Sequence, residues 1–312
     1  MIGARRARLS GVGWLILGTL IAGCATASPT APISLPTEQP ASVPTQPSAT
    51  QSTDQSSPAV DNPLNAELIE PGRLVICSAF PRTRYAEYDS EGRPVGFDIE
   101  LALAIAERLG VEPEVTELPF DQLIDAIIDG SCDIAVSGHF ITHERLARIG
   151  LIPYREGSVN VVVRAGNPLG IATLDDLCGR TAAIVAGTIY VDIVRGAGDY
   201  EGRGIDQGCD QAGRPPVGLS EHLTEADAVA FFGGGDADVF IGNEAVAVER
   251  PGEFDRSDAE LPRLRNGIGH RMGASALDEA VRSALRSLIE DGTYELIRDR
   301  YDLGPINPTE LP

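Results

Sequence analysis

The chain is short of positive charge, of aromatic residues and of long apolar runs. Its 25 basic residues face 46 acidic ones, lysine is absent, and the formal net charge is −21. Binding to nucleic acid or to anionic lipid needs clustered cationic side chains, so the surface as a whole disfavours both functions. The charge of a pocket is a separate question, because a few arginines can give it the opposite sign.

The residue sets that mark a catalyst are also missing. The sequence has no Ser-His-Asp set, no phosphate-binding loop and no obvious pair of carboxylates. His139 and His143 are four residues apart, as two metal ligands on a helix can be, but no third ligand accompanies them. We therefore expect no enzyme activity, no bound metal and no other cofactor.

Residues 1–24 are typical of an export signal. Arg5, Arg6 and Arg8 precede VGWLILGTLIAG, an apolar run too short to span a membrane comfortably. The run ends in IAGC, which resembles the lipobox of bacterial lipoproteins and predicts that Cys24 carries a lipid after cleavage. An uncleaved anchor and an ordinary signal peptide are the alternatives. The general secretory route is favoured over twin-arginine export.

The segment 25–65 is rich in Ser, Thr, Pro and Gln and almost free of large apolar side chains. Such a segment cannot bury enough surface to offset its ordering entropy, so we expect a disordered tether. A tether behind a lipid anchor would hold the following domain near the membrane and leave it free to rotate. Removal of residues 1–23 would change the formal charge from −21 to −24, because three arginines and no acids are lost.

Strand and helix patterns alternate from residue 66 onwards. LVICSA, VEPEVTEL and CDIAVSG predict strands, while GFDIELALAIAERLG and FDQLIDAIIDG predict helices, the first with Asp98 as its N-cap. This rhythm predicts an α/β fold with a mostly parallel sheet. Ligands bind such sheets beyond the carboxyl ends of the strands, here after Cys77, at Pro119–Phe120 and from Ser137 to Arg145.

The order of GFDIELALAIAERLG, DG-C-D and IT-x-E-R resembles the first lobe of the family 3 periplasmic and lipoprotein solute-binding proteins, the polar-amino-acid receptors of ABC transporters. The resemblance covers about residues 66 to 304. It implies the two-lobed periplasmic-binding-protein type II fold, with each lobe a mostly parallel sheet flanked by helices. Lobe 1 would comprise 66–157 plus 256–312, and lobe 2 would comprise 158–255.

The same resemblance implies a function. The protein would be a monomeric, extracytoplasmic receptor, lipid-anchored to the cell membrane. It would close its lobes on a small carboxylate-bearing solute and deliver that solute to an ABC permease. Two alternatives stay open: an enzyme on the same fold, such as a dehydratase or a lytic transglycosylase, and the input module of a sensor.

Several site residues in lobe 1 follow from the resemblance. Arg145 of ITHER matches the family arginine that forks onto the α-carboxylate of the ligand, a role suited to a planar and permanently charged group. Phe120 matches an aromatic that covers the ligand, although core packing is the alternative. Ser137 and Gly138 lie in the same ligand-facing segment, and Phe140 stands where the family often has Ser or Thr.

The loop after the first strand departs from the family pattern. Ala79 falls on an acidic position, Arg82 falls on an aromatic one, and Tyr85 falls on the usual Phe. Arg82 is either a solvated surface charge or a contact for an anionic ligand. The sequence leaves both interpretations open.

In lobe 2, Gly187 and Thr188 match a Gly-Thr at a helix start, where exposed N–H groups can bind an anion and Thr188 can cap the helix. Asn243 stands where the family commonly has an aspartate that binds the ligand ammonium. An amide oxygen can accept that hydrogen bond but supplies no charge. The sequence alone therefore suggests that Asn243→Asp would improve binding of α-amino acids.

Four cysteines follow Cys24, which fits an exported protein and allows three pairings. Cys178 and Cys209 both fall in lobe 2, so we favour a bridge between them, which would contribute on the order of 3 kcal/mol in the chain-entropy model. Cys77 and Cys132 lie on neighbouring predicted strands but at opposite ends. That offset leaves their pairing open.

Overall fold

The computed structural model describes residues 63–243 and 245–303. The predictions for the export signal, for Cys24 and for most of the tether lie outside these residues. The helix Pro63–Glu67 begins inside the segment assigned to the tether, so the prediction of disorder through residue 65 is wrong for its last three residues. Within the described ranges, no helix is long and apolar enough to cross a membrane.

The regular elements alternate along the chain much as the sequence predicts. The strands are β1 (Arg73–Ser78), β2 (Glu87–Tyr88), β3 (Pro94–Val95), β4 (Glu112–Glu117), β5 (Ile134–Phe140), β6 (Gly150–Arg164), β7 (Thr181–Val185), β8 (Gly218–His222), β9 (Val239–Gly242) and β10 (Phe254–His270). The α-helices are α1 (Pro63–Glu67), α2 (Phe97–Leu109), α3 (Leu123–Asp129), α4 (His143–Leu146), α5 (Tyr190–Arg195), α6 (Ile205–Gln211), α7 (Glu225–Gly234), α8 (Ala245–Glu249), α9 (Ser275–Glu290) and α10 (Thr293–Arg300).

Eight of the strands form one sheet in the order β4-β1-β5-β10-β6-β9-β7-β8. β4, β1 and β5 are parallel at one end, and β9, β7 and β8 are parallel at the other. The long strands β6 and β10 are antiparallel to each other and pass from one group to the other. The predicted two-lobed α/β fold is confirmed. The lobe limits at 157/158 and 255/256 fall within these two strands and stay a prediction.

Each lobe has apolar side chains packed on both faces of its part of the sheet. In lobe 1, α2, α9 and α10 cover one face and α3 covers the other. In lobe 2, one cluster lies under α5 and α6 and a second lies under α7. Because both faces are covered, the inner strands β1, β5, β7 and β9 read as nearly continuous apolar runs, whereas the edge strands β4 and β8 are more polar and more exposed.

Helix α2 begins two residues earlier than the N-cap interpretation required. Gly96 is the N-cap, with a φ of 119° that an L side chain rarely adopts, and its missing Cβ leaves room for the backbone of Tyr85. Asp98 therefore lies inside the first turn, is fully buried and does not cap the helix. Prediction of Asp98 as the N-cap is wrong, and its carboxylate serves another purpose described below.

Both cysteine pairs form disulfides. Cys178 is joined to Cys209, the favoured pairing, with Cα atoms 5.5 Å apart. Cys77 is joined to Cys132 with Cα atoms 5.9 Å apart, so the expected offset does not prevent the bond. The chain enters β5 by a turn, in which Cys132 donates to the Ala126 carbonyl, and this turn brings Cys132 alongside β1.

Candidate functional site: the cleft between the lobes

A cavity lies between the two lobes, with about 550 Å³ of empty space when the open solvent at its mouth is included. It sits beyond the carboxyl ends of β1 and β5 in lobe 1 and of β7 and β8 in lobe 2, where ligands of open α/β sheets bind. The residues that line it are Ala79, Phe80, Pro81, Arg82, Phe120, Gly138, Phe140, Arg145, Val185, Thr188, Ile189, Tyr190, Leu223, Thr224, Glu225, Phe240 and Gly242.

Arg145 is held in the cleft wall by the short helix α4. Thr142 caps this helix by accepting a hydrogen bond from the Arg145 N–H at 3.2 Å. The guanidinium donates from Nη1 to the Phe140 carbonyl at 3.0 Å and from Nη2 to the Gly187 carbonyl of lobe 2 at 3.1 Å. Arg145 is 7% exposed, and burial lowers its pKa from the ordinary value. The cleft wall thus holds a desolvated cation that contacts both lobes.

Phe120 lies beside this cation and above a buried histidine. The Arg145 guanidinium is 5.8 Å from the Phe120 ring centre, and the His139 ring stacks on the Phe120 ring with the two centres 4.7 Å apart. His139 is fully buried, and neither ring nitrogen has a hydrogen-bond partner among the described residues. Desolvation, together with the positive charges of Arg145 and Arg82, holds its pKa well below the ordinary value. His139 is therefore a neutral support for Phe120.

The histidine pair does not form a metal site. His139 belongs to β5, while the side chain of His143 is 96% exposed at the start of α4 and contacts Asp199 of lobe 2. No group of three or more His, Cys, Asp or Glu in the described part of the chain could hold a metal ion.

Arg82 reaches into the cavity and pairs with Asp98. Its Nη1 donates to Asp98 Oδ2 at 3.0 Å, and its side chain is 16% exposed. The other carboxylate oxygen accepts from the Tyr154 hydroxyl at 2.7 Å and lies 3.6 Å from Nε of Arg155. Of the two interpretations left open by the sequence, a solvated surface charge does not fit this position.

Three predicted site residues lie behind the cavity wall. Tyr85 is buried beneath the arginines, with the Arg155 guanidinium 4.2 Å from its ring centre. The Ser137 hydroxyl accepts from the N–H of Ala79. The Asn243 amide donates to the Thr83 carbonyl at 3.0 Å. None of the three lines the cavity, so each can act on a ligand only through the residues in front of it.

The remaining predicted positions do lie on the wall. Gly138 and Phe140 face the cavity from β5, and Thr188 faces it from lobe 2. Thr188 does not cap a helix with its side chain, because α5 begins at Tyr190 and the Thr188 hydroxyl donates to the Val185 carbonyl. Helix α5 has only six residues, so its N-terminus offers little for anion binding.

Sequence reasoning missed two polar residues of lobe 2. Tyr190 lines the cavity in edge contact with Phe140, and burial raises its pKa to about 12. Glu225 is 7% exposed, accepts a hydrogen bond from the Thr83 N–H at 2.9 Å, and has its pKa raised by burial. Thr224 caps α7, which follows β8. The rule on strand carboxyl ends, applied to β8, would have found Glu225.

The profile of the bacterial extracellular solute-binding proteins, family 3, matches residues 73–304. The probable ABC transporter extracellular-binding protein YckB of Bacillus subtilis is 29% identical over 43% of this chain, and the match spans about half, 48%, of that protein. The L-cystine-binding protein TcyJ of Escherichia coli is 23% identical over 77% of this chain and 86% of that protein.

A solved structure of an ancestral arginine-binding protein bound to arginine is 28% identical, with a TM-score of 0.65 over 74% of this chain and 98% of that chain. The membrane-bound lytic murein transglycosylase F of Pectobacterium atrosepticum is 29% identical over 75% of this chain but only 47% of that protein. The two relatives matched over most of their length are thus binding proteins, in agreement with the expectation that this chain is not an enzyme.

Proposed function

The chain belongs to the bacterial extracellular solute-binding proteins of family 3, and from this premise we propose that it binds a small carboxylate-bearing solute, an amino acid or a related molecule, between its two lobes. The observation that carries the proposal is the position of Arg145. A buried guanidinium in a water-poor cleft binds a carboxylate through charge-assisted hydrogen bonds that are stronger than they would be in bulk water.

Phe120 adds an apolar surface next to that charge. A solute with an acid group at Arg145 can lay its carbon chain on the Phe120 ring, opposite the face that His139 covers. Phe140 and Phe240 add further apolar surface in the same cavity. A largely apolar pocket with a few placed polar groups is typical of sites for small organic ligands.

Closure of the two lobes would complete the site. Hydrogen bonds link the lobes at Arg145–Gly187, Glu225–Thr83 and Asn243–Thr83, and an ion pair links Arg84 with Glu249 at 2.5 Å. A solute that contacts both lobes binds the closed arrangement better than an open one, and its binding energy shifts the equilibrium toward closure.

Delivery to an ABC permease and a lipid anchor at Cys24 are further parts of the proposal. A closed receptor presents one continuous surface from both lobes, which a permease can distinguish from the open form.

Membrane fractionation of cells that express the full-length chain tests the anchor. Wild-type protein is expected in the membrane fraction and Cys24→Ser in the soluble fraction; equal partition of the two would refute the anchor.

A thermal-shift screen of the full-length protein tests the solute class. The panel should contain amino acids, dicarboxylates and opines, each with an amide or ester that blocks its acid groups. A ligand at one hundred times its Kd stabilises by about 2.7 kcal/mol, which raises Tm by roughly 5 to 10 °C for a domain of this size. The proposal fails if no carboxylate shifts Tm, or if blocked analogues shift it equally.

A further inference from the structure

We infer that the solute carries a second acid group, which Arg82 binds in the cavity beside Gly138 while Arg155 supports it from behind the cavity wall. These three residues are called the cradle. This inference rests on the proposed function, because it assigns a solute class to the same cleft. The favoured class is an acidic amino acid or a dicarboxylate, in contrast to a solute with one carboxylate and a neutral or cationic side chain.

Gly138 forms the floor of the cradle. It faces the cavity, and its φ of +65° is one that L side chains rarely adopt. A Cβ built on it would lie 2.7 Å from Nη2 of Arg155, 2.8 Å from Nη2 of Arg82 and 3.2 Å from Nη1 of Arg82. The two guanidinium groups therefore pack directly against the Cα atom of Gly138, and a side chain at this position would displace them.

The cradle holds more positive than negative charge. Asp98 is the carboxylate between the two arginines, and it is engaged by Nη1 of Arg82 and approached by Nε of Arg155. Its Oδ1 also accepts from the Tyr154 hydroxyl. Among the described residues, no other carboxylate lies within ion-pair distance of either guanidinium. One buried cation, Arg155, and one partly buried cation, Arg82, on one buried anion leave a positive charge that is costly without a further partner.

The charged residues of the whole cleft also add up to an excess of positive charge. Arg82, Arg145 and Arg155 face two buried carboxylates, Asp98 and Glu225, and Glu225 already accepts the N–H of Thr83. The carboxylates of Asp192 and Glu144 favour the charged form of Arg145. Within the described ranges, however, neither residue lines the cavity or forms an ion pair with Arg145.

This excess of one positive charge selects among solutes. A zwitterionic amino acid has no net charge and would leave the excess in place. A solute with two acid groups and one ammonium group has a net charge of −1 and would neutralise it. One acid group would bind Arg145 beside Phe120, and the other would bind the cradle.

Isothermal titration of the full-length protein with matched acid and amide pairs tests the inference. The pairs are L-glutamate with L-glutamine, L-aspartate with L-asparagine, and glutarate with its monoamide. In the best-bound pair, we expect the diacid to bind at least tenfold more tightly than the amide. Equal or tighter binding of the amide would overturn the inference and leave the proposed function standing, whereas absence of binding by every carboxylate solute would overturn both.

Substitution of the cradle separates a role in recognition from a role in folding. Arg82→Gln should reduce the diacid-to-amide affinity ratio to within about threefold of one, and Arg82→Lys should restore part of it. Gly138→Ala, whose methyl group would displace both guanidinium groups, should lower the same ratio. A structural role would weaken the two members of a pair equally and leave the ratio unchanged, and that result would refute the cradle. Arg148→Gln, on an exposed arginine paired with Asp125, is the matched control and should keep the wild-type ratio.

Discussion

The side-chain amide of Asn243 in lobe 2 donates to the backbone carbonyl of Thr83 in lobe 1 at 3.0 Å. The N–H of the same Thr83 donates to Glu225, also in lobe 2, so both backbone polar groups of this lobe 1 residue are held from across the cleft. The Asn243 Oδ1 atom in turn accepts from the Ala245 N–H. Both polar atoms of the Asn243 amide are therefore engaged, the nitrogen across the cleft and the oxygen within lobe 2.

This arrangement reverses the effect that the sequence suggests for Asn243→Asp. A carboxylate at position 243 would lose the donor to Thr83 and place a negative charge against the carbonyl of that residue. Loss of a buried hydrogen bond with an unsatisfied partner costs about 1 to 3 kcal/mol, so we expect solute affinity to fall by about tenfold or more. Isothermal titration with the best solute of the screen measures this.

The control for that substitution is Asn243→Ala, which removes the donor without adding charge. Its affinity should fall less than that of Asn243→Asp. Tighter binding of α-amino acids by Asn243→Asp would instead support the sequence-based interpretation, in which this position contacts the ligand ammonium.

Arg145→Ala should weaken solute binding by at least tenfold while circular dichroism shows an unchanged fold. The substitution removes the cation of the cleft wall and also the bond from lobe 1 to the Gly187 carbonyl. Arg145→Lys keeps the charge but cannot donate in two parallel directions, so we expect an intermediate affinity. Equal affinity of wild type and Arg145→Ala in a calorimetric titration would refute the assigned role, and Arg148→Ala serves as the surface control.

Acidification should destabilise the fold through His139. Its pKa in the folded protein lies well below the ordinary value, because burial and the charges of Arg145 and Arg82 disfavour the protonated ring. The unfolded state therefore binds the proton first. The stabilisation is present above about pH 6.5 and is lost as the pH falls below that value, by up to roughly 1.4 kcal/mol per pH unit.

Urea unfolding of wild type and His139→Phe between pH 7.5 and 5.5 measures this dependence. The phenylalanine keeps an aromatic ring against Phe120 but cannot be protonated, so the stability of the variant should fall less steeply with acidification. His270, whose pKa is also lowered by burial, contributes a loss in the same direction that both proteins share. Identical slopes for the two proteins would contradict the role of His139.

Each disulfide should stabilise the protein by about 3 to 4 kcal/mol, because it removes loop-closure entropy from the unfolded chain. The two values should be similar, since this entropy changes slowly with loop length. The bridges join residues 55 apart for Cys77–Cys132 and 31 apart for Cys178–Cys209. Paired serine variants, unfolded in urea beside wild type, give the two values. Neither bridge lines the cavity, so solute affinity should change by less than threefold. A variant as stable as the oxidised wild type would show that its bridge contributes nothing.

Local patterns along the chain were sufficient to predict the alternation of strands and helices, a mostly parallel α/β sheet and the segment that carries Arg145. The two-lobed arrangement came from the resemblance to a known family. Apolar periodicity and glycine stops depend on neighbours in sequence, so they can be read without the fold. Element ends were less well determined. Asp98 has the right chemistry for an N-cap, but the close approach of the Tyr85 backbone requires glycine at position 96 and moves the cap there.

The sequence by itself determined which part of the chain forms lobes, which strand ends face the cleft, and that an arginine in ITHER lies there. Only the tertiary structure decided which polar groups meet across the cleft: Asn243 and Glu225 on Thr83, and Arg82 with Arg155 on Asp98 and in front of Gly138. The physical reason is that charge balance in a buried site depends on distances between residues far apart in the chain. Neither periodicity nor composition contains those distances.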